Sequence, residues 1–124
     1  MATKSSHSSV RIWPDRAAVH AAVAAWARQA AGSHPELLRA GYFGSYARGD
    51  WGVGSDVDLI LIVARAERPW PERALDWDVL GLPVPAEVVV YTREEWERLC
   101  ADGGRFARTV AGEAVWVYER GPAT

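Results

Sequence analysis

The chain has 124 residues, about half of them apolar and a quarter charged, with a formal net charge of −2. That is enough for one domain with one sizeable core, and the slightly acidic balance argues against a surface for general nucleic-acid binding. A single cysteine, Cys100, excludes an internal disulfide and fits a reducing cytoplasm, and no apolar run is long enough to cross a membrane.

Residues 1–9 (MATKSSHSS) are polar and serine-rich, which predicts a disordered tail, not a signal peptide, ahead of a single domain over residues 10–120. A helix is expected from Pro14 or Asp15 to Ala31, ended by Gly32 and Pro35. Val19, Val23, Trp26, Ala27 and Ala30 form its inner face. Leu37 to Phe43 reads as a first strand. Leu59 to Val63 is an uninterrupted, β-branched-rich apolar run, the mark of a strand buried on both faces, and Val57 to Val63 is its expected extent. Residues 64–79 are rich in charge and proline and read as a loop, with a short helix from Glu72 to Trp77. Ala86 to Tyr91 is a third strand. Thr92 to Glu95 is a capping box that opens a helix with Trp96 and Leu99 inside, and Gly103-Gly104 breaks it. Cys100 is expected as a small core residue near that helix end. A short helix from Phe106 to Val110 and a last strand from Ala114 to Tyr118 complete the chain. The order predicts an α+β (α/β) fold: a small mixed sheet of about four strands with helices packed mainly on one side.

The chemistry gathers in YFGSYARGDWGVGSDVDLILIV, Tyr42 to Val63. Asp56 and Asp58 project from one face where the second strand begins, since strand side chains alternate. Two carboxylates held together repel, so one takes up a proton or a cation sits between them, and oxygen-only ligands favour Mg²⁺ or Mn²⁺ over zinc. Gly44 lets the backbone turn and admits a close ligand. Ser45 brings a hydroxyl at the start of a short helix, Ser45 to Arg48, and Arg48 adds positive charge. A return through Gly49, Gly52 and Gly54 brings Asp56 back beside Gly44. Phosphate donors facing metal-binding carboxylates are what a nucleoside triphosphate with its Mg²⁺ requires. A second Asp-x-Asp, Asp76 and Asp78, lacks an upstream Gly-Ser and reads as surface. His7, His20 and His34 have no zinc-ligand spacing. Seven tryptophans exceed what a small core needs and point to a partner face as well.

Gly44-Ser45, ten residues, then Asp56-x-Asp58 and an apolar strand resembles the signature of the DNA polymerase β-like nucleotidyltransferases. Arg48-Gly49 and Ser55 further resemble the minimal nucleotidyltransferase (MNT) branch. The resemblance implies a nucleotidyltransferase fold and a third carboxylate on a later strand, which Glu87 in PAEVVVY matches. It implies catalytic and metal-binding roles for Asp56, Asp58 and Glu87, with two Mg²⁺ ions, and nucleotide contacts from Gly44, Ser45, Arg48 and Ser55. It also implies a substrate, ATP, and a partner: MNT proteins commonly pair with a HEPN ribonuclease toxin, acting as antitoxin by transferring AMP to a toxin tyrosine. A small-molecule nucleotidyltransferase like the aminoglycoside-modifying enzymes, and an antitoxin that blocks its partner sterically, are the alternatives. The missing acceptor-binding domain disfavours the first, and the clustered carboxylates disfavour the second.

Overall fold

The computed structural model describes residues 13–121; the tail expected over residues 1–9, with His7, lies outside them. Helix α1 (Arg16–Ser33) starts at Asp15, whose side chain accepts the Ala18 N–H at 2.9 Å, and buries Val19, Val23 and Ala27. Strand β1 (Leu37–Phe43) leads into the one-turn helix α2 (Ser45–Arg48). Strand β2 (Val57–Val63), a 3-10 run (Trp70–Asp76) and strand β3 (Ala86–Thr92) follow. Helices α3 (Arg93–Asp102) and α4 (Arg105–Glu113) and strand β4 (Val115–Glu119) complete the order.

The sheet order is β3-β2-β1-β4; β1 is antiparallel to both neighbours, and β2 runs parallel to β3. The sheet is mixed and four-stranded, as expected, but the helices divide between its two faces instead of gathering mainly on one. Leu59 and Tyr42 pack with Val19 and Val23 of α1, whereas Ile60 and Ile62 pack with Trp96 of α3 and Val110 of α4. The reason lies in β2: a strand apolar on both faces needs cover on both. This division sets the polarity of the site, because Asp58 shares its face with Ile60 and Ile62 and so looks toward α4.

The tryptophans serve mainly as packing. Trp77 and Trp96 are buried, Trp13, Trp26, Trp51 and Trp116 are partly buried, and only Trp70 is exposed. Trp26 donates its indole N–H to the Asp78 carbonyl at 2.7 Å, and Trp77 stacks on His34, so the 64–85 connection is fastened to α1. Gly41 has a local reason: an added Cβ would lie 2.6 Å from the Val115 carbonyl oxygen and 2.9 Å from the Trp116 ring. Cys100 is exposed on α3, contrary to expectation. Trp96 and Leu99 take the inner stripe, and one further residue turns the chain about 100° away from it.

Arg73, in the 3-10 run, is a buried cation the sequence did not flag. It donates to both carboxylate oxygens of Glu95, at 2.6 and 3.0 Å, and to the Val90 carbonyl at 3.2 Å. Glu95 also closes the Thr92 capping box, accepting the Thr92 N–H at 2.9 Å. The guanidinium beside it pulls the Glu95 carboxyl down to about 2. A carboxyl depressed in the folded state contributes stability above its unfolded pKa and loses it as pH falls through the folded one. Urea unfolding should therefore show wild-type stability falling from the ordinary glutamate range toward pH 2 more steeply than that of E95Q. At neutral pH, R73A is expected to cost about 2 kcal/mol, since Glu95 is only partly buried and water compensates in part.

Candidate active site

The site forms at one end of the sheet, where β1 leaves, β2 and β3 begin, and α4 ends. Gly44 follows β1 with φ 80° and ψ −153°, a conformation reserved for glycine. The turn swings the chain into α2 and brings the Gly44 α-carbon against β2. A Cβ there would overlap Oδ2 of Asp58. The Gly-Ser turn and the acidic strand thus meet, with Asp58 rather than Asp56 against the glycine.

Gly49 and Gly54, with φ of 90° and 88°, shape the return loop. Ser55 holds it closed: its backbone N–H donates to the Gly52 carbonyl at 2.9 Å, and its hydroxyl accepts the Gly52 N–H at 2.8 Å. Tyr46 is buried under α2, donates its hydroxyl to the Pro14 carbonyl at 2.8 Å, and stacks on Trp51 with centroids 5.5 Å apart. Ser45 is half-buried at the first position of α2.

The acids come from two adjoining strands. Asp58 pairs in register with Glu87 across the parallel β2–β3 ladder and with Phe43 on β1. Asp56 stands two residues before Asp58. Asp56 and Glu87 are exposed and Asp58 is half-buried. Burial, with the charges of Glu87 and Asp56 next in weight, pushes the Asp58 carboxyl above the ordinary aspartate range, and Arg48 pulls the other way. The decoy pair behaves as surface: Asp76 accepts from Arg68 Nε at 2.8 Å, and Asp78 accepts the Leu80 N–H at 3.1 Å.

Glu113, the last residue of α4, is a fourth acid, absent from the sequence reading. Its Oε2 accepts the Gly44 N–H at 2.7 Å and faces Arg48 Nη1 at 3.4 Å. Arg48 also donates through Nε to Asp50 at 3.1 Å, so both faces of its guanidinium meet carboxylates. The signal for Glu113 was faint: an acid at a helix C-terminus stands against the helix dipole and asks for a compensating partner.

Oxygen-only donors that repel one another suit a hard divalent cation. Among the described residues, however, no group of three or more His, Cys, Asp or Glu side chains is gathered as a metal site. The donor chemistry of Asp56, Asp58 and Glu87 fits such a cation.

Acids on two neighbouring strands thus meet a glycine turn at one end of a small mixed sheet. The chain belongs to the nucleotidyltransferase domain family, whose model matches residues 27–116, and it is a nucleotidyltransferase. A solved structure from Sulfolobus solfataricus, provisionally described as a nucleotidyltransferase, matches with a TM-score of 0.60 at 20% identity, over 85% of this chain and 84% of that one. At that identity it bears on the fold. A toxin–antitoxin complex with AMP-PNP is a looser likeness, TM-score 0.48 and 17% identity over 78% of this chain and 73% of that one, and carries no further weight. No curated protein matches significantly. Among the described residues, no helix is long and apolar enough to cross a membrane.

Proposed function

We propose that the protein transfers AMP from ATP to a hydroxyl on a second protein, a tyrosine of a HEPN-type toxin, and thereby acts as its antitoxin. The observation that carries the chemical part is the apposition of the Gly44 turn to Asp58, with Glu87 level with Asp58 on the next strand. In this reading the Gly44-Ser45 turn and Arg48 receive the β- and γ-phosphates, and Ser55 keeps the return loop folded over them. Asp56, Asp58 and Glu87 hold Mg²⁺, or Mn²⁺ in its place, which when bound neutralises charge on the phosphates and on the departing pyrophosphate. Glu87, exposed on the edge strand β3, accepts the proton of the attacking hydroxyl. The α-phosphorus–oxygen bond to the hydroxyl forms as the bond to pyrophosphate breaks. Positioning and charge neutralisation do most of the work. The partner reading rests on the resemblance of Arg48-Gly49 and Ser55 to the MNT branch and on the exposed site edge, which leaves a macromolecular hydroxyl room to approach.

Intact-mass spectrometry tests it. The protein is incubated with ATP, MgCl₂ and the protein encoded beside it, with a D56N/D58N double variant as control. An adenylyl mass gain on the partner, absent with the variant, is expected. A stable complex without mass gain would replace transfer by steric inhibition, and neither complex nor gain would remove the partner.

A further inference from the structure

Glu113 stands where a carboxylate is not otherwise favoured. The C-terminal end of a helix carries partial negative charge, and Asp58 already bears the charges of Glu87 and Asp56. Two donors hold it there, the Gly44 N–H at 2.7 Å and the Arg48 guanidinium at 3.4 Å, with its side chain 17% exposed. Both belong to the set that receives the triphosphate in the reading above, on which this inference rests. A carboxylate oxygen on a backbone N–H and an arginine makes the same charge-assisted contacts as a phosphate oxygen.

We infer that Glu113 occupies the phosphate position, that the nucleotide must displace it, and that it selects metal-complexed triphosphate over the bare anion. The selection follows from charge. A bare polyphosphate meets Glu113 together with Asp56, Asp58 and Glu87, with Arg48 opposing them. A triphosphate whose charge is largely neutralised by Mg²⁺ meets far less repulsion and can exchange places with one carboxylate. Glu113 is thus a specificity-determining residue that leaves the chemistry to the strand acids. Glutamine keeps an acceptor for the Gly44 N–H and removes only the charge, which makes E113Q the informative change.

The test is calorimetric titration of wild type and E113Q with AMP-PNP, once in MgCl₂ and once in EDTA. E113Q is expected to bind about tenfold tighter in EDTA and only about twofold tighter in MgCl₂, so the ratio of the two dissociation constants shrinks. An unchanged ratio, or weaker binding by E113Q in both arms, overturns the proposal; a residue that merely props the turn would weaken both together. A measurement on the wild type needs no variant to fold. The ¹³Cδ resonance of Glu113 should shift when AMP-PNP and MgCl₂ are added, and a stationary resonance also overturns displacement. Failure of the underlying reading looks different: wild type would bind no AMP-PNP with MgCl₂ and transfer no AMP.

Discussion

D58N is expected to lose transfer activity by roughly a thousandfold or more while keeping the fold, because one charge at the reacting phosphate accounts for effects of that order. The structure adds a sign to the stability effect. The Asp58 carboxyl is pushed upward, chiefly by burial and then by Glu87 and Asp56, so the native state disfavours its ionised form. A raised acid burdens the native state at every pH above its folded pKa, and the burden is relieved as pH falls through that value. At neutral pH, removing the charge should leave the melting temperature unchanged or raise it. D56N should lose comparable activity with less change in stability, since Asp56 is exposed. The measurements are a Mg²⁺-dependent transfer assay and thermal unfolding on the same preparations. Retained activity in either variant would remove that aspartate from the site, and a clear fall in the melting temperature of D58N would contradict the electrostatic account.

G44A should fail in both respects. Its φ of 80° with ψ near −153° strains any residue with a side chain, and the new methyl would overlap Asp58 Oδ2. The strain alone is worth about 1–3 kcal/mol, and the overlap displaces the carboxylate proposed to take part in the chemistry. A melting point lower by several degrees, together with loss of transfer, is the expected pair of results. G49A is the control: φ is 90° there too, but nothing lies within 4 Å of the added Cβ. It should cost about 1 kcal/mol of stability and little activity. Equal damage from both would mean that backbone strain, not the meeting with Asp58, explains Gly44.

The sheet was legible because its signals are local. Strand limits at Leu37, Phe43, Val57 and Val63, and the Thr92–Glu95 capping box, follow from runs of apolar residues and from spacing three apart. The meeting of Gly44 with the second strand followed from glycines placed to turn the chain back. What stayed hidden depends on partners distant in sequence. Arg73 looks like any charge in a proline-rich loop until β3 brings Glu95 to it. Glu113 looks like a solvated helix end until β4 carries α4 back beside β1. The packing of the tryptophans stayed hidden for a related reason. Composition counts aromatic rings but cannot say that a long connection will need Trp26 and Trp77 to fasten it. The split of helices between both faces was already implicit in β2, whose two-sided apolar character demanded it.

The contact between Gly44 and Glu113 closes a loop of 69 residues, and β1, which carries the turn, lies between β2 and the final strand. This has a consequence during synthesis. A nascent chain can build the helix and the first hairpin as they leave the ribosome, but β1 keeps one open edge until Val115 to Glu119 emerges. Glu87 cannot come level with Asp58 before the whole 64–85 connection is out. The acidic cluster is therefore among the last features to assemble, and an incomplete chain carries the motif without the site.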